Sequence, residues 1–252
     1  MISTKILPKF FKDVLKHIPT LALKSVNWKD VLKDMGPFVF RLGTKELEKT
    51  KRVTIEDLNI SKLKIYNSVN ERKKIVLSSK ERREQGQILL SLYFSQFKNV
   101  NGLNLDIRAS HFDYSESTLN WLPNNCWYKM DNLFRESLID LYSGFYHDNN
   151  ELFESALKKT GLTKNLNEEK TIELKKLFYE HFTPGDQILV KFRVSKFSES
   201  FYELFHFFVT NEVELETDFI FLGIYLVTLY MHLEELDESF DVRAAFLEVY
   251  PI

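Results

Sequence analysis

The residues best equipped for chemistry in this 252-residue chain sit within six positions of one another: Asp106, Arg108 and His111. They belong to residues 102–135, GLNLDIRASHFDYSESTLNWLPNNCWYKMDNLFR, the one long stretch without helical patterning. A carboxylate at the end of a short strand can face a cleft and act as a general base or a magnesium ligand. Arg108 can hold a phosphate or a carboxylate through its forked guanidinium. Read this way, Asp106, Arg108 and His111 are the catalytic residues of an enzyme, a nucleotide-dependent transferase or hydrolase. The same residues support a structural reading, in which Asp106 pairs with Arg108 and His111 caps the turn. An enzyme is the less expected of the two.

Other chemistries lack their residues. None of the six histidines has the spacing of a helical metal site. His232 and Glu235 share a helical face, but two ligands alone do not make a metal centre. There is no Walker loop, GxGxxG, GxSxG or SxxK, and eight glycines leave little for a phosphate-cradling loop. No metal and no cofactor is expected. The single cysteine, Cys126, forms no internal disulfide and reads as a small buried hydrophobe in a reducing compartment.

Positioning the central stretch falls to helices. Ser78-Ser79-Lys80-Glu81 is a capping box that opens a helix through Phe97, with Ile88, Leu89, Leu92, Tyr93 and Phe97 at helical spacing. Leu103, Leu105 and Ile107 alternate with polar residues as a short strand. Residues 118–122 and 126–130 flank Pro123-Asn124-Asn125 and predict a β-hairpin turning there. Asp131 caps a helix to Tyr146. The next helix is capped near Asp148 to Asn150 and ends at Gly161, and Asn167 caps one to Phe182. Residues 186–210 read as helix broken near Val194, Asp218 as the cap of an apolar helix to about Leu236, and Asp241 as the cap of a last short helix. The 22 phenylalanines predict a bulky aromatic core. Those around Phe192 to Phe221 also suggest an apolar-ligand or lipid carrier, with an aromatic core as the plainer alternative. The fold class is mainly α, α+β at most, with one strand and hairpin region near 103–130. Residues 1–52 form N-terminal amphipathic helices and 53–252 the main helical domain, or the two are continuous.

A formal charge of −2 and the absence of any nucleic-acid motif exclude a strongly basic nucleic-acid binder. Charge is uneven, with lysines concentrated near the N-terminus and nine acids, without Lys or Arg, from Glu212 to Asp241. Lys5, Lys9, Phe10, Phe11, Lys12 and Lys16 are the candidate contacts of a basic amphipathic helix with an anionic membrane surface. The lysines threaded through the N-terminus argue against a signal peptide. The apolar run from Phe219 to Leu233 reads as too short to span a bilayer and as a buried helix instead. The expected location is cytoplasmic, with peripheral attachment to the inner face of the membrane as the N-terminal helix suggests.

Four segments resemble, in order, the UbiB/AarF family of atypical kinases linked to ubiquinone biosynthesis. MGPFVFRLGT at 35–44 resembles its LGPTFIKLGQ signature, with Arg41 in place of the lysine and Thr44 in place of the glutamine. The resemblance makes Arg41 the candidate cofactor-binding residue. Residues 87–112 resemble the helix leading into the catalytic loop HADPHPGN, with NLDIRASH in the loop's place. Residues 134–162 resemble the helix pair after the DFG motif, and 219–250 the C-terminal helices. The resemblance implies a fold like a kinase C-lobe, and the departures imply lost chemistry. Only Asp106 survives of the loop, His111 stands at its metal-binding asparagine, and Pro123-Asn124-Asn125 falls at DFG. About thirty residues between Thr44 and Ser78 leave no room for a nucleotide lobe. Phosphoryl transfer depends on metal and lysine neutralising charge. The expectation is therefore a non-catalytic protein acting through a partner protein or a membrane surface.

Overall fold

The computed structural model describes residues 9–18, 52–56, 58–66, 76–182 and 188–251, without the side chains of Lys9 and Phe11. It is a mainly α-helical protein with a few short strands. In chain order the elements are α1 (Lys9–Leu15), β1 (Leu63–Ile65), α2 (Ser79–Gln96), β2 (Leu103–Asn104), a 3-10 turn (Ala109–His111), β3 (Phe112–Ser115), β4 (Thr118–Trp121) and β5 (Trp127–Tyr128). There follow α3 (Asn132–Tyr146), α4 (Asn150–Lys159), α5 (Glu168–Phe182), β6 (Val190–Lys191), α6 (Val194–Thr210), α7 (Thr217–Leu236), β7 (Ser239–Phe240) and α8 (Val242–Val249).

Two helices form the axis of the core. The α2 capping box closes as its sequence predicts: Ser78 Oγ accepts from the Glu81 amide at 3.3 Å, and the Glu81 carboxylate accepts from the Ser78 amide at 2.8 Å. Beyond its first turn α2 buries most of its side chains, from Gln85 to Phe94. Buried α7 packs against α2, and α8 lies along α2 on another side. The apolar helix α7 runs from Thr217 to Leu236, and at 20 residues it could by length and composition cross a membrane, unlike the shorter apolar run Phe219 to Leu233 within it. Here its apolar side chains are buried within the protein. Phe197, Phe201, Phe205, Phe208 and Phe219 pack ring against ring between α6 and α7, the first two with centroids 4.6 Å apart.

The β structure corrects the hairpin. Strands β3 and β4 pair antiparallel, Phe112 opposite Trp121 and Ser115 opposite Thr118, around a two-residue turn at Glu116 and Ser117. Both turn residues are left-handed, φ 50° and 57°, a conformation usually given to Asn or Gly. With neither present, the turn leaves no sequence signal. β1, in a segment with weak patterning, joins β4 in parallel. β5 does not close the hairpin but pairs antiparallel with β2, so Pro123-Asn124-Asn125 is a connecting loop. The strand at 103–107 shortens to Leu103–Asn104, and its polar residues are buried with the apolar ones. The helix expected over 186–210 begins only at Val194, after β6. Asp218 is not the cap of α7. Glu216 holds that position, while Asp218 turns inward to accept from the Tyr128 hydroxyl at 2.6 Å and the Asp131 amide at 3.0 Å.

Helix α1 differs from a membrane-facing helix. Its apolar stripe, Phe10, Val14 and Ile18, is buried in the same core as the other elements. Phe10 is therefore withdrawn from the candidate membrane contacts. Lys12 and Lys16 stay on the outer side, Lys16 within 3.3 Å of Asp13. Lys5, the side chains of Lys9 and Phe11, Arg41 and the signature-like segment 35–44 lie outside the described residues.

Gly144 is where α3 and α4 touch. A Cβ there would stand 2.5 Å from the Phe153 amide nitrogen and 2.6 Å from its Cα, and backbone cannot turn aside as a side chain can. Gly144→Ala is expected to destabilise the protein by about 1–3 kcal/mol, beyond the roughly 1 kcal/mol that alanine gains in helix propensity. A urea midpoint equal to or above that of the native sequence would refute the contact.

Candidate functional site

The Asp106 carboxylate is wholly buried. It lies just past β2, where the chain is fixed from two sides. From α2, Gln96 Oε1 accepts from the Asn104 amide at 2.7 Å. From α7, Thr228 Oγ1 donates to the Leu105 carbonyl at 2.8 Å, and His232 Nδ1 lies 2.9 Å from the Ile107 carbonyl. Asn104 Oδ1 also accepts from the Asp106 amide at 3.1 Å, an Asx-type turn that directs the chain.

The sequence-derived trio does come together. Arg108 grips Asp106 with both prongs, Nε to Oδ1 at 2.7 Å and Nη2 to Oδ2 at 2.8 Å. His111 Nε2 stands 2.9 Å from Oδ2. A fourth member escaped sequence reasoning: Asn124 donates through Nδ2 to the same Oδ2 at 2.7 Å, while its Oδ1 accepts from the Cys126 amide at 2.9 Å. Beyond the cluster, Asp13 of α1 stands 3.7 Å from Arg108 Nη1, and the Phe10 ring lies beneath the guanidinium. The signal that could have found Asn124 is the resemblance, which counts Pro123-Asn124-Asn125 into the place of the DFG motif.

Burial alone would raise the Asp106 pKa. The hydrogen bonds from Arg108 and His111, and their charges, outweigh it and draw the carboxyl down to about 2. The same bonds raise the Arg108 pKa. Burial, reinforced by the nearby carboxylate, pushes the Cys126 thiol up to about 12, which makes it a poor nucleophile.

This arrangement suits architecture better than proton transfer. A carboxylate offers about four lone-pair directions. Side chains of Arg108, His111 and Asn124 supply four donors, and the Arg108 amide, at 3.4 Å, is a fifth. Receiving a substrate proton or binding magnesium would first require breaking one of these bonds. Asp106 itself is fully buried, although the Arg108 and His111 side chains are about a fifth exposed (18% and 20%). His111 does not merely cap the turn, because its ring is part of the cluster. Among the described residues no group of three or more His, Cys, Asp or Glu side chains is placed to hold a metal.

His232 is buried between Ile107 and Gln85 rather than paired with Glu235. For the carrier reading, the groove of about 700 Å³ beside Lys16, His17, Ser198 and Tyr202 is an open surface one, and the aromatic cluster offers little room. A cavity lined by Tyr93, Tyr142, Tyr146, His181 and Phe192, among others, has a volume of only about 40 Å³, far below the roughly 300 Å³ of a small-molecule site. A scan against protein-family models returns no match to this chain, and a search of curated proteins returns no relative.

Proposed function

We propose that this chain is a non-catalytic helical scaffold, a degenerate relative of the UbiB-type atypical kinases, that acts by binding a partner protein. The observation that carries the reading is the saturated, buried cluster at Asp106. Positions that the resemblance assigns to the catalytic aspartate, the metal-binding asparagine and the DFG segment are held by Asp106, His111 and Asn124. These three meet within hydrogen-bond distance.

Metal-assisted phosphoryl transfer needs free carboxylate oxygens. Here the carboxylate is neutralised by arginine, and an imidazole and an amide fill the two flanking positions. A partner protein is favoured over a membrane surface because α1 has committed Phe10, Val14 and Ile18 to the interior.

Thermal unfolding with and without millimolar magnesium-ATP tests this reading. A ligand bound only to the native state at 100 times its dissociation constant adds about 2.7 kcal/mol, which shifts the midpoint visibly. The scaffold predicts no shift, and a magnesium-dependent rise would overturn it. Co-flotation with anionic vesicles, lost when residues 1–18 are removed, would move the binding surface from a protein to a membrane.

A further inference from the structure

His232 is fully buried on α7 and touches both sides of the fold that hold the Asp106 loop. Its Nδ1 is 2.9 Å from the Ile107 carbonyl. A carbonyl only accepts, so Nδ1 carries the hydrogen and Nε2 is bare in the neutral ring. Nε2 lies 3.0 Å from Gln85 Nε2, which donates to it from α2. This leaves Gln85 Oε1 buried and without a partner among the described residues. A half turn of the amide exchanges its oxygen and nitrogen within nearly the same volume. Facing a bare Nε2, the oxygen would be repelled. Facing a protonated Nε2, it would accept a hydrogen bond.

We propose that Gln85 and His232 form a two-position switch, in which uptake of a solvent proton at His232 Nε2 is coupled to a half turn of the Gln85 amide. In the acid position both ring nitrogens donate, Nδ1 to Ile107 and Nε2 to Gln85 Oε1. The ring gains one positive charge, and the bond that ties α7 to the loop is kept.

The groups around the ring fit such a device. On the loop side stand the Ile107 carbonyl and, beyond it, His111, whose charge opposes a second positive ring, with Asp106 and Arg108 neutralising each other. On the β3 side the Phe112 ring lies 5.0 Å away and presents no competing donor. On α2 the neighbouring acids are engaged elsewhere, Glu81 with Ser78 and Glu84 with the Tyr114 hydroxyl. On α7 itself Glu235 is exposed. Burial holds the His232 pKa down to about 4, which places the transition in acid.

The test is nitrogen-detected NMR of the histidine rings in the full chain, titrated from neutral to below pH 4. At neutral pH His232 should show a protonated Nδ1 and a bare Nε2. Nε2 should gain its hydrogen in acid while the fold's other signals persist, and the Gln85 amide protons should lose their contacts to the ring. Gln85→Glu should raise the proton affinity of His232 about a hundredfold, because a carboxylate needs no flip. Gln85→Met should leave the ring unprotonated until the protein unfolds. A neutral ring with its hydrogen on Nε2 overturns the proposal, as does native-like titration in Gln85→Met. If neither variant folds, unchanged Gln85 amide contacts across the native titration would overturn it equally.

Discussion

Asp106→Ala is expected to lower the unfolding free energy by about 3–5 kcal/mol, among the larger effects available to a single substitution in this chain. The reason lies in what the carboxylate leaves behind. Arg108 stays mostly buried, and among the described residues Asp13, at 3.7 Å, is the carboxylate left within ion-pair distance. His111 and Asn124 lose the acceptor that orients them. A buried pair is weak as a source of stability but costly to break on one side. Asp106→Ala combined with Arg108→Met should therefore recover much of the loss, a non-additivity readable in a double-mutant cycle by urea denaturation. A loss under about 1 kcal/mol for Asp106→Ala would mean that the cluster does not hold the fold together, and the enzyme reading would regain ground.

Acid should weaken the fold in two separable stages. Burial pushes both His181 and His232 down to about 4, against an unfolded value near 6.5. The histidine stabilisation is fully present above the unfolded value. As pH falls from 6.5 toward 4 the unfolded chain takes up two protons that the folded chain excludes, so stability drops by about 3 kcal/mol per histidine. Below that window the folded chain titrates too, and the histidine contribution stops changing. Asp106 then takes over, because its carboxyl is drawn from an ordinary 3.8 to about 2 and its stabilisation is lost only in that lower range. Urea unfolding followed against pH should show the first slope roughly halved in His181→Phe. A profile flat from neutral pH to 4 would contradict the buried neutral rings.

Much of the helical frame was legible because capping chemistry is local. Ser78 with Glu81, Asp131, Asn167 and Asp241 bond amides two or three residues away, so their signatures survive in sequence. Gly161, at φ 78°, ends α4 as expected. The β region was less legible. Its hairpin turns on Glu116 and Ser117, which carry no turn signature, and β1 finds β4 across more than fifty residues. The trio at 106–111 was found by residue type, yet alternation cannot tell a buried polar side chain from an exposed one. Asn124 was hidden by its composition, since Pro-Asn-Asn reads as a turn whether or not its amide reaches inward. Phe10 taught the same lesson for α1: one amphipathic stripe suits a membrane or a core, and only the neighbouring α7 decides.

Helix α2 meets its principal neighbours late. Ser91 bonds Glu248 at a separation of 157 residues, and Arg82 bonds Glu238 at 156. At about 5–20 residues per second, a ribosome needs roughly 8–30 s to make the intervening chain. For that interval the flank of α2 that carries Gln87, Ser91 and Phe94 has no α8 to cover it. The nascent chain thus carries an uncovered hydrophobic segment for most of its synthesis, and chaperone capture competes with self-association there. Substitutions in α8 that barely alter the finished protein would then act on yield, by prolonging the time α2 waits for cover.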